Sequence, residues 1–289
     1  MIYGVIVIYN SALNESVAYK NLAAVISDEF KLIIVDNSTI RNDNGQCCCS
    51  ENCKYIAMGQ NAGLSKAFNV GIDFILTQEA RENDAILFLN DDTAITEDFV
   101  RLLQEELITN KSVDIFVPFM QGQDGVLYSP AKAGFLKNHY VKSIYEDIPQ
   151  TRFFAIASGT AARREIFETY RFTEDLFLDL IDNQFCDDQR RLGRRFKPIR
   201  TIIQQNYAMK NPKLTATQVK RRYRIWLTDF WTYCKKKPIR VLGYYPDIFL
   251  RGLMLSAKTR KPLLCIWVII YGTKVVFGDY EGISEKSQE

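Results

Sequence analysis

The stretch ILFLNDDTAI, residues 86–95, passes from four apolar side chains straight into Asn90, Asp91 and Asp92. Adjacent carboxylates at the end of a buried strand are costly without a counter-charge. A divalent cation relieves that cost. Mg²⁺ or Mn²⁺ takes oxygen ligands, typically one or two carboxylates together with phosphate oxygens. Asp91 and Asp92 are therefore candidate metal ligands that would grip a diphosphate through the ion. A solvated turn ahead of a helix accounts for the same residues equally well. Two further polar clusters follow apolar runs: Tyr9-Asn10 after IYGVIVI, and Asp36-Asn37-Ser38 after KLIIV. Cys47, Cys48, Cys49 and Cys53 invite a zinc reading. Their spacing lacks two separated Cys-x-x-Cys pairs and a nearby His, so a loop with free thiols is the better expectation.

These residues need elements to hold them. Short β-rich runs at 2–8, 31–35, 55–58, 85–89 and 113–117 alternate with helical patterns. In LSKAFNVGIDFILTQ, Leu64, Ala67, Phe68, Gly71, Ile72, Ile75 and Leu76 share one face at helical spacing. Thr96 can cap a helix whose first turn carries Glu97 and Asp98. The alternation predicts an α/β fold, a mostly parallel sheet with helices on both faces. In such sheets ligands bind beyond the carboxyl ends of the strands, where all three polar clusters fall. FFAIASG (153–159) reads as another buried strand ending in a small-residue turn. FLDLIDNQFCDDQRRLG (177–193) reads as an apolar turn, then an amphipathic helix closed by Gly193.

Five motifs in order resemble those of the family 2 glycosyltransferases of the GT-A fold, and most closely their rhamnosyltransferase-like branch. The resemblance covers roughly the first two hundred residues. VIVIYN resembles the opening strand, whose end touches the nucleobase, and places Tyr9 and Asn10 there. IIVDNST resembles the second strand, with Asp36 as the hydrogen-bond partner of the base. NAGLSKAFNVGI resembles the helix that puts Asn61, Gly63, Ala67 and Asn69 near the nucleotide sugar. ILFLNDDT resembles the Asp-x-Asp metal motif, with Asn90 in place of its first acid and Asp92 in place of its last. FLDLIDNQFC resembles the segment that carries the catalytic base; Asp182 matches that position, with Asp179 as runner-up. Asp182 also reads as a helix N-cap. Gln184 stands where the family has Glu, and Gln205 falls near the position of a family His. Ser158-Gly159-Thr160 resembles the small-residue turn beneath the acceptor.

What the resemblance implies is inverting transfer from a nucleotide-diphospho sugar to a hydroxyl, assisted by a divalent cation, Mg²⁺ or Mn²⁺. Rhamnose from dTDP-rhamnose, moved onto a surface-polysaccharide or lipid-linked acceptor, is the leading expectation. Transfer from a UDP-hexose or UDP-galactofuranose is the alternative. A catalytically silent nucleotide-sugar or glycan binder is the rival from another class, motivated by Asn90, Gln184 and the missing His. A nucleotidyltransferase would need a Gly-rich basic loop after the first strand, and YNSALNES has neither glycine nor Lys or Arg.

Composition adds a partner. The 289 residues carry a formal net charge of +3, unevenly spread. Residues 1–189 hold 15 basic and 28 acidic side chains, and residues 190–262 hold 20 and 2. The expected division is a GT-A catalytic domain over 1–205 and a helical, basic and aromatic extension over 206–289. In that extension Arg221, Arg222, Tyr223, Arg224, Trp226, Trp231 and Lys235, Lys236 and Lys237 suit an anionic membrane surface. A face packed within the protein is the next reading, and nucleic acid is disfavoured. PLLCIWVIIYG (262–272) is too short to span a bilayer and reads as a core or interfacial helix. An odd count of seven cysteines and an opening MIYGVIVIYN without a cationic start predict a cytoplasmic protein, at the inner face of the membrane where it docks. The polar tail from Glu281 is expected to be disordered.

Overall fold

The computed structural model describes residues 1–48, 50–135, 137–205 and 216–278. The elements run β1 (Ile2–Ile8), α1 (Val17–Leu22), β2 (Phe30–Asp36), β3 (Cys53–Ala57), α2 (Leu64–Leu76), β4 (Ala85–Asn90), α3 (Glu97–Thr109), β5 (Ile115–Gln121), β6 (Leu127–Ser129), β7 (Ala131–Lys132), β8 (His139–Tyr140), β9 (Phe153–Phe154), β10 (Ala161–Arg163), α4 (Ile181–Arg191), β11 (Phe196–Gln204), α5 (Ala216–Lys235), α6 (Pro238–Thr259) and α7 (Leu263–Val276). Two compact units result: Met1–Glu174 with Ile181–Asn206, and Asp175–Leu180 with Tyr207–Glu289.

The first unit is built on one sheet in the order β11-β5-β10-β4-β1-β2-β3, with β6 added to β5. β1 pairs in parallel with β2 and β4, β2 with β3, and β5 with β11. β1 is central and buried on both faces, which is why it reads as an unbroken apolar run. Ile2, Ile6 and Ile8 join the core cluster that takes in Ala18 and Leu22 of α1 and Phe99, Val100, Leu103 and Leu107 of α3. Val5 points the other way, towards α2. A Cβ on Gly71 would lie 2.8 Å from Val5 Cγ1, so glycine lets α2 sit close on the sheet. Thr96 Oγ1 accepts the Phe99 N–H and caps α3 as the sequence predicts.

One element differs from expectation. FFAIASG is not a strand of the main sheet. Only Phe153–Phe154 is extended, pairing with β7 in a small three-stranded sheet. The rest is a buried loop, and the strand beside β4 is β10, which runs antiparallel to both β4 and β5. A buried apolar loop has the same composition as a core strand, so pattern alone does not separate them.

The second unit is three packed helices. Tyr244 donates to the Gly272 carbonyl at 3.2 Å, and Gly252 lies against Cys265 of α7. Its basic and aromatic side chains are largely spent on one another. The Arg251 guanidinium lies 4.6 Å from the Trp226 ring centre, and Lys237 and Arg240 lie 4.0 and 4.9 Å from that of Tyr233. Trp226 stacks on Phe230 and is buried. The face of α5 expected to meet a membrane is thus partly an internal one. Residues 206–215 and the tail from 279 lie outside the described residues.

Candidate active site

The sheet delivers its polar residues to one rim. The register sets Ile8 opposite Asp36 and Val7 opposite Asn90, so the ends of β2 and β4 flank the end of β1. At the end of β1, Tyr9 is partly exposed and Asn10 has φ of 48°, a left-handed conformation that Asn tolerates. Asn10 Oδ1 accepts the N–H groups of Thr39 and Ile40 at 3.0 and 3.2 Å. This ties the loop after β2 to the end of β1.

Asp36 organises that loop from below. It is 2% exposed. Oδ1 accepts the Ser38 N–H at 3.0 Å; Oδ2 accepts Tyr55 Oη, Asn42 Nδ2 and Asn44 Nδ2 at 2.6, 2.9 and 3.1 Å. Burial would raise its pKa, but these four bonds outweigh it and hold the carboxyl below its ordinary value. The loop so fixed walls a cleft of about 470 Å³ lined by Asn10, Ser11, Ile40, Asn42, Asp43 and Asn44, among others. A cleft of that size suits a small ligand.

Ser11 belongs to the cleft and also to the carboxylates. Its Oγ donates to Asp91 Oδ2 at 3.1 Å, while the Asp91 carbonyl accepts from Ser16 Oγ and the Ala18 N–H. Asp92 accepts only from Gln205 Nε2 at 3.3 Å among the described hydrogen bonds. Burial and the neighbouring Asp91 charge push the Asp92 pKa up, and Gln205 offsets them in part. Gln205 is held there by a bridge to Thr93, and by its N–H donating to the Gln121 carbonyl at 3.0 Å. It is itself 6% exposed, and its Oε1 is buried without a partner. Two acids and an orphaned amide oxygen form a donor set of oxygen atoms, the set a hard divalent cation takes. Among the described residues no group of three His, Cys, Asp or Glu could hold a metal. In the cysteine loop, Cys48 and Cys53 sit with sulfurs 2.6 Å apart, and Cys49 lies outside the described residues.

The loop before β10 meets the end of β4. Ser158 Oγ accepts the Asn90 N–H at 3.3 Å and is in hydrogen-bond contact with Thr93 Oγ1. Gly159, at φ of 82°, donates its N–H to the Phe88 carbonyl at 2.7 Å. Two residues before Gly159, the Ala157 N–H donates to Asp182 Oδ1 at 2.9 Å. Asp182 is the second residue of α4, so it is not the N-cap. The rim is thus continuous: cleft, Ser11, Asp91-Asp92, then Thr93, Ser158, Ala157 and Asp182.

Other residues singled out by sequence take different places. Asn61 Oδ1 accepts from Asn37 Nδ2 and the Gly63 N–H at 2.9 and 3.2 Å, shaping the turn before α2; Gly63, at φ of 89°, is its N-cap residue. Ala67 is fully buried, and Asn69 spends both ends of its amide on the Phe172 backbone and Glu174. Asn69 thereby holds α2 to the segment 172–174, and neither residue is among those lining the cleft. Asp179 belongs to the second unit, where both of its oxygens are taken by Arg222, one at 2.5 Å. That pairing leaves the runner-up poorly placed to accept a proton. Asp229, which the sequence reading passed over, is fully buried and accepts three backbone N–H groups, from Phe177, Leu178 and Asp179, at 2.7–2.8 Å. Burial pushes its pKa up to about 6 against those bonds. Its signal was being one of only two acids in a strongly basic stretch.

The profile of the family described as Glycosyl transferase family 2 matches residues 5–171. Among curated proteins, the chain is 31% identical over 193 residues to the dTDP-rhamnosyl transferase RfbF of Shigella flexneri, covering 64% of this chain and 62% of that one. It is 25% identical over 240 residues to the low-salt glycan biosynthesis hexosyltransferase Agl10 of Haloferax volcanii, covering 78% and 72%. Among solved structures, the mannosyltransferase PcManGT from Pyrobaculum calidifontis, in complex with GDP-Man and Mn²⁺, superposes with a TM-score of 0.54. That match is 12% identical, covers 96% of this chain and 88% of that one, and speaks for the fold.

Proposed function

Because the chain belongs to glycosyl transferase family 2, we propose that it transfers a sugar from a nucleotide-diphospho donor to an acceptor hydroxyl with inversion at the anomeric carbon. The observation that carries this is the series of hydrogen bonds and chain-adjacent residues that runs from the cleft through Ser11 and Asp91-Asp92 to Ser158, Ala157 and Asp182. A leaving diphosphate needs its charge offset and an attacking hydroxyl needs a base, the roles this reading gives to Asp91-Asp92 and to Asp182.

In this reading the cleft takes the nucleoside. Asp36 Oδ1 accepts one N–H, from Ser38, among the described hydrogen bonds, and so retains acceptor capacity for the imide N–H of uracil or thymine. Asp91 and Asp92, with Gln205 as a neutral oxygen donor, would hold a Mg²⁺ or Mn²⁺, which when bound offsets the charge gathering on the leaving diphosphate. Asp182 acts as general base and takes the proton of the acceptor hydroxyl as its oxygen attacks the anomeric carbon. The Ala157 N–H orients that carboxylate through Oδ1.

For the donor we propose dTDP-rhamnose, supported by the similarity to the dTDP-rhamnosyl transferase. The acceptor proposed is a surface-polysaccharide or lipid-linked glycan, reached from the cytoplasmic side of a membrane that the protein touches peripherally. The test is a panel of dTDP-rhamnose, UDP-glucose, UDP-galactose and UDP-galactofuranose with Mn²⁺, reading thermal shift and release of nucleoside diphosphate. Turnover of dTDP-rhamnose alone supports the proposal. Turnover of a UDP-sugar replaces the donor, and binding without release of diphosphate from any of them reduces the protein to a binder.

A further inference from the structure

The three-helix unit carries an apolar surface that its own packing does not use. On α6 the side chains of Ile239, Leu242, Tyr245, Phe249, Leu250, Leu253 and Met254 are all exposed, Leu242 at 79%. They recur at spacings of three and four and so share one half of the helix. The charged residues described on α6 turn the other way. Arg240 lies over Tyr233, Arg251 over Trp226, and Asp247 is buried in an ion pair with Arg251. The adjacent α7 repeats the pattern, with Leu263, Ile266, Ile270 and Phe277 exposed at spacings of three, four and seven, while Leu264, Cys265, Val268 and Val275 face inward. Exposed apolar side chains gathered like this mark an interaction surface.

The charge around the surface says what it meets. Residues 216–278 carry thirteen Lys and Arg against two Asp and no Glu, and both acids are buried. Exposed cations stand at the ends of the apolar face: Lys235 and Lys236 ahead of α6, Arg260 and Lys261 at the turn into α7, and Lys274 near the end of α7. An apolar face with a cationic border matches the boundary between acyl chains and anionic headgroups. No helix among the described residues is long and apolar enough to cross a membrane. The segments outside the described residues, NYAMKNPKLT and DYEGISEKSQE, are too polar to supply a matching apolar cover.

We propose that the exposed apolar faces of α6 and α7 are a seat for the surface of a phospholipid bilayer rich in anionic lipid, with the helices lying along it. This centres the membrane contact on α6 and α7, whereas the sequence reading drew it from the basic and aromatic residues of α5 and read 262–272 as a core or interfacial helix. Its physics does not depend on the sugar chemistry, and its test needs neither donor nor acceptor.

The full chain is sedimented with vesicles of phosphatidylcholine alone and with vesicles containing 30% phosphatidylglycerol. The expected result is binding to the second and little to the first. The double variant Leu242→Glu, Leu253→Glu should weaken binding at least about tenfold. Arg260→Glu with Lys261→Glu should weaken it mainly at low salt. All four positions are solvent-exposed, and an unchanged thermal melt confirms that the variants are folded. Wild-type chain that stays in the supernatant with both vesicles overturns the proposal, and so does full binding by the Leu242, Leu253 variant. A concentration-dependent dimer in light scattering, lost in that variant and without vesicle binding, assigns the face to a second copy and overturns it too.

Discussion

Asp36 ends β2 and Asp92 lies two residues beyond β4, the two strands that flank β1, and they sit in opposite circumstances. Asp36 accepts four hydrogen bonds, all from its own protein, and its pKa is held down. Asp92 accepts one side-chain bond, faces the charge of Asp91, and its pKa is pushed up. The first is largely satisfied by the fold, with acceptor capacity left only on Oδ1. The second has no partner of positive charge among the described residues. In linkage terms Asp36 adds stability above the ordinary carboxylate range that is lost as pH falls through its depressed pKa, whereas Asp92 in the metal-free chain costs stability as pH rises through its own. Both acids look alike in sequence, each following an apolar run. The difference teaches that satisfied valences mark a carboxylate the fold depends on, and unsatisfied ones mark a candidate for binding a cation.

The largest expected effect lies at the far end of the rim. Asp182→Asn keeps the shape and the acceptor for Ala157 N–H but removes the basic oxygen. Transfer should fall by about 10³-fold, roughly 4 kcal/mol in the barrier, with the donor-induced thermal shift retained. Near-normal turnover would strip Asp182 of the role, and loss of the thermal shift would make it part of donor binding instead.

Asp36→Ala probes the satisfied carboxylate. It leaves Tyr55 Oη and two Asn amides without their acceptor, so unfolding in urea should show a loss of about 3–4 kcal/mol. If the melt is unchanged, the four bonds to Asp36 do not serve the fold, and the contrast with Asp92 collapses.

Asp229 extends the contrast to the second unit, as a carboxylate rich in hydrogen bonds yet raised to about 6 by burial. Arg222 and Asp179 are the charged groups beside it. An unfolded Asp titrates near 3.9, so between about pH 4 and 6 the folded chain holds a proton the unfolded chain has lost. This contribution to stability is full below about pH 4 and declines as pH rises through 6. Asp229→Asn removes it. The stability difference between pH 4.5 and 7 should shrink by about 2 kcal/mol relative to wild type, read from urea midpoints at each pH. Equal pH slopes in the two proteins would show that the three backbone N–H groups, and not burial, govern this acid.

Much of this was legible from residue order. The unbroken apolar run of β1, the one-sided helix α2 and the Thr96 cap each announce themselves, because burial on two faces, burial on one face and a side-chain oxygen before an acidic turn leave different patterns. Ser158 was legible only as a small-residue turn. Its hydrogen bonds to Asn90 and Thr93 join residues 65 and more positions apart, and no local pattern encodes such a pairing. The buried loop 155–159 read as a strand because a buried apolar loop has the composition of a core strand. Asn42, Asn44 and Tyr55 passed as ordinary loop and strand residues, although together they saturate Asp36 Oδ2. Gln205 drew notice only as a weak substitute, and its placement beside Asp92 depends on β11 reaching the rim next to β5. Sequence marked the charged residues of the site; it left open which of them the fold had already satisfied.

The smallest effect gives the sharpest comparison. Asp92→Asn retains one oxygen at the same position and removes the charge, while Asp91 keeps its own. With a cation site, the Mn²⁺-induced thermal shift should vanish and transfer fall by about 10²-fold, near 2.7 kcal/mol. The metal-free melting temperature should hold or rise, since a buried like-charge contact has been removed. That last reading separates Asp92 from Asp36, whose loss must lower the melt. If Asp92→Asn melts as low as Asp36→Ala and still responds to Mn²⁺, then Asp92 belongs to the scaffold, and Asp91 with Gln205 is left as the only pair on the rim to hold an ion.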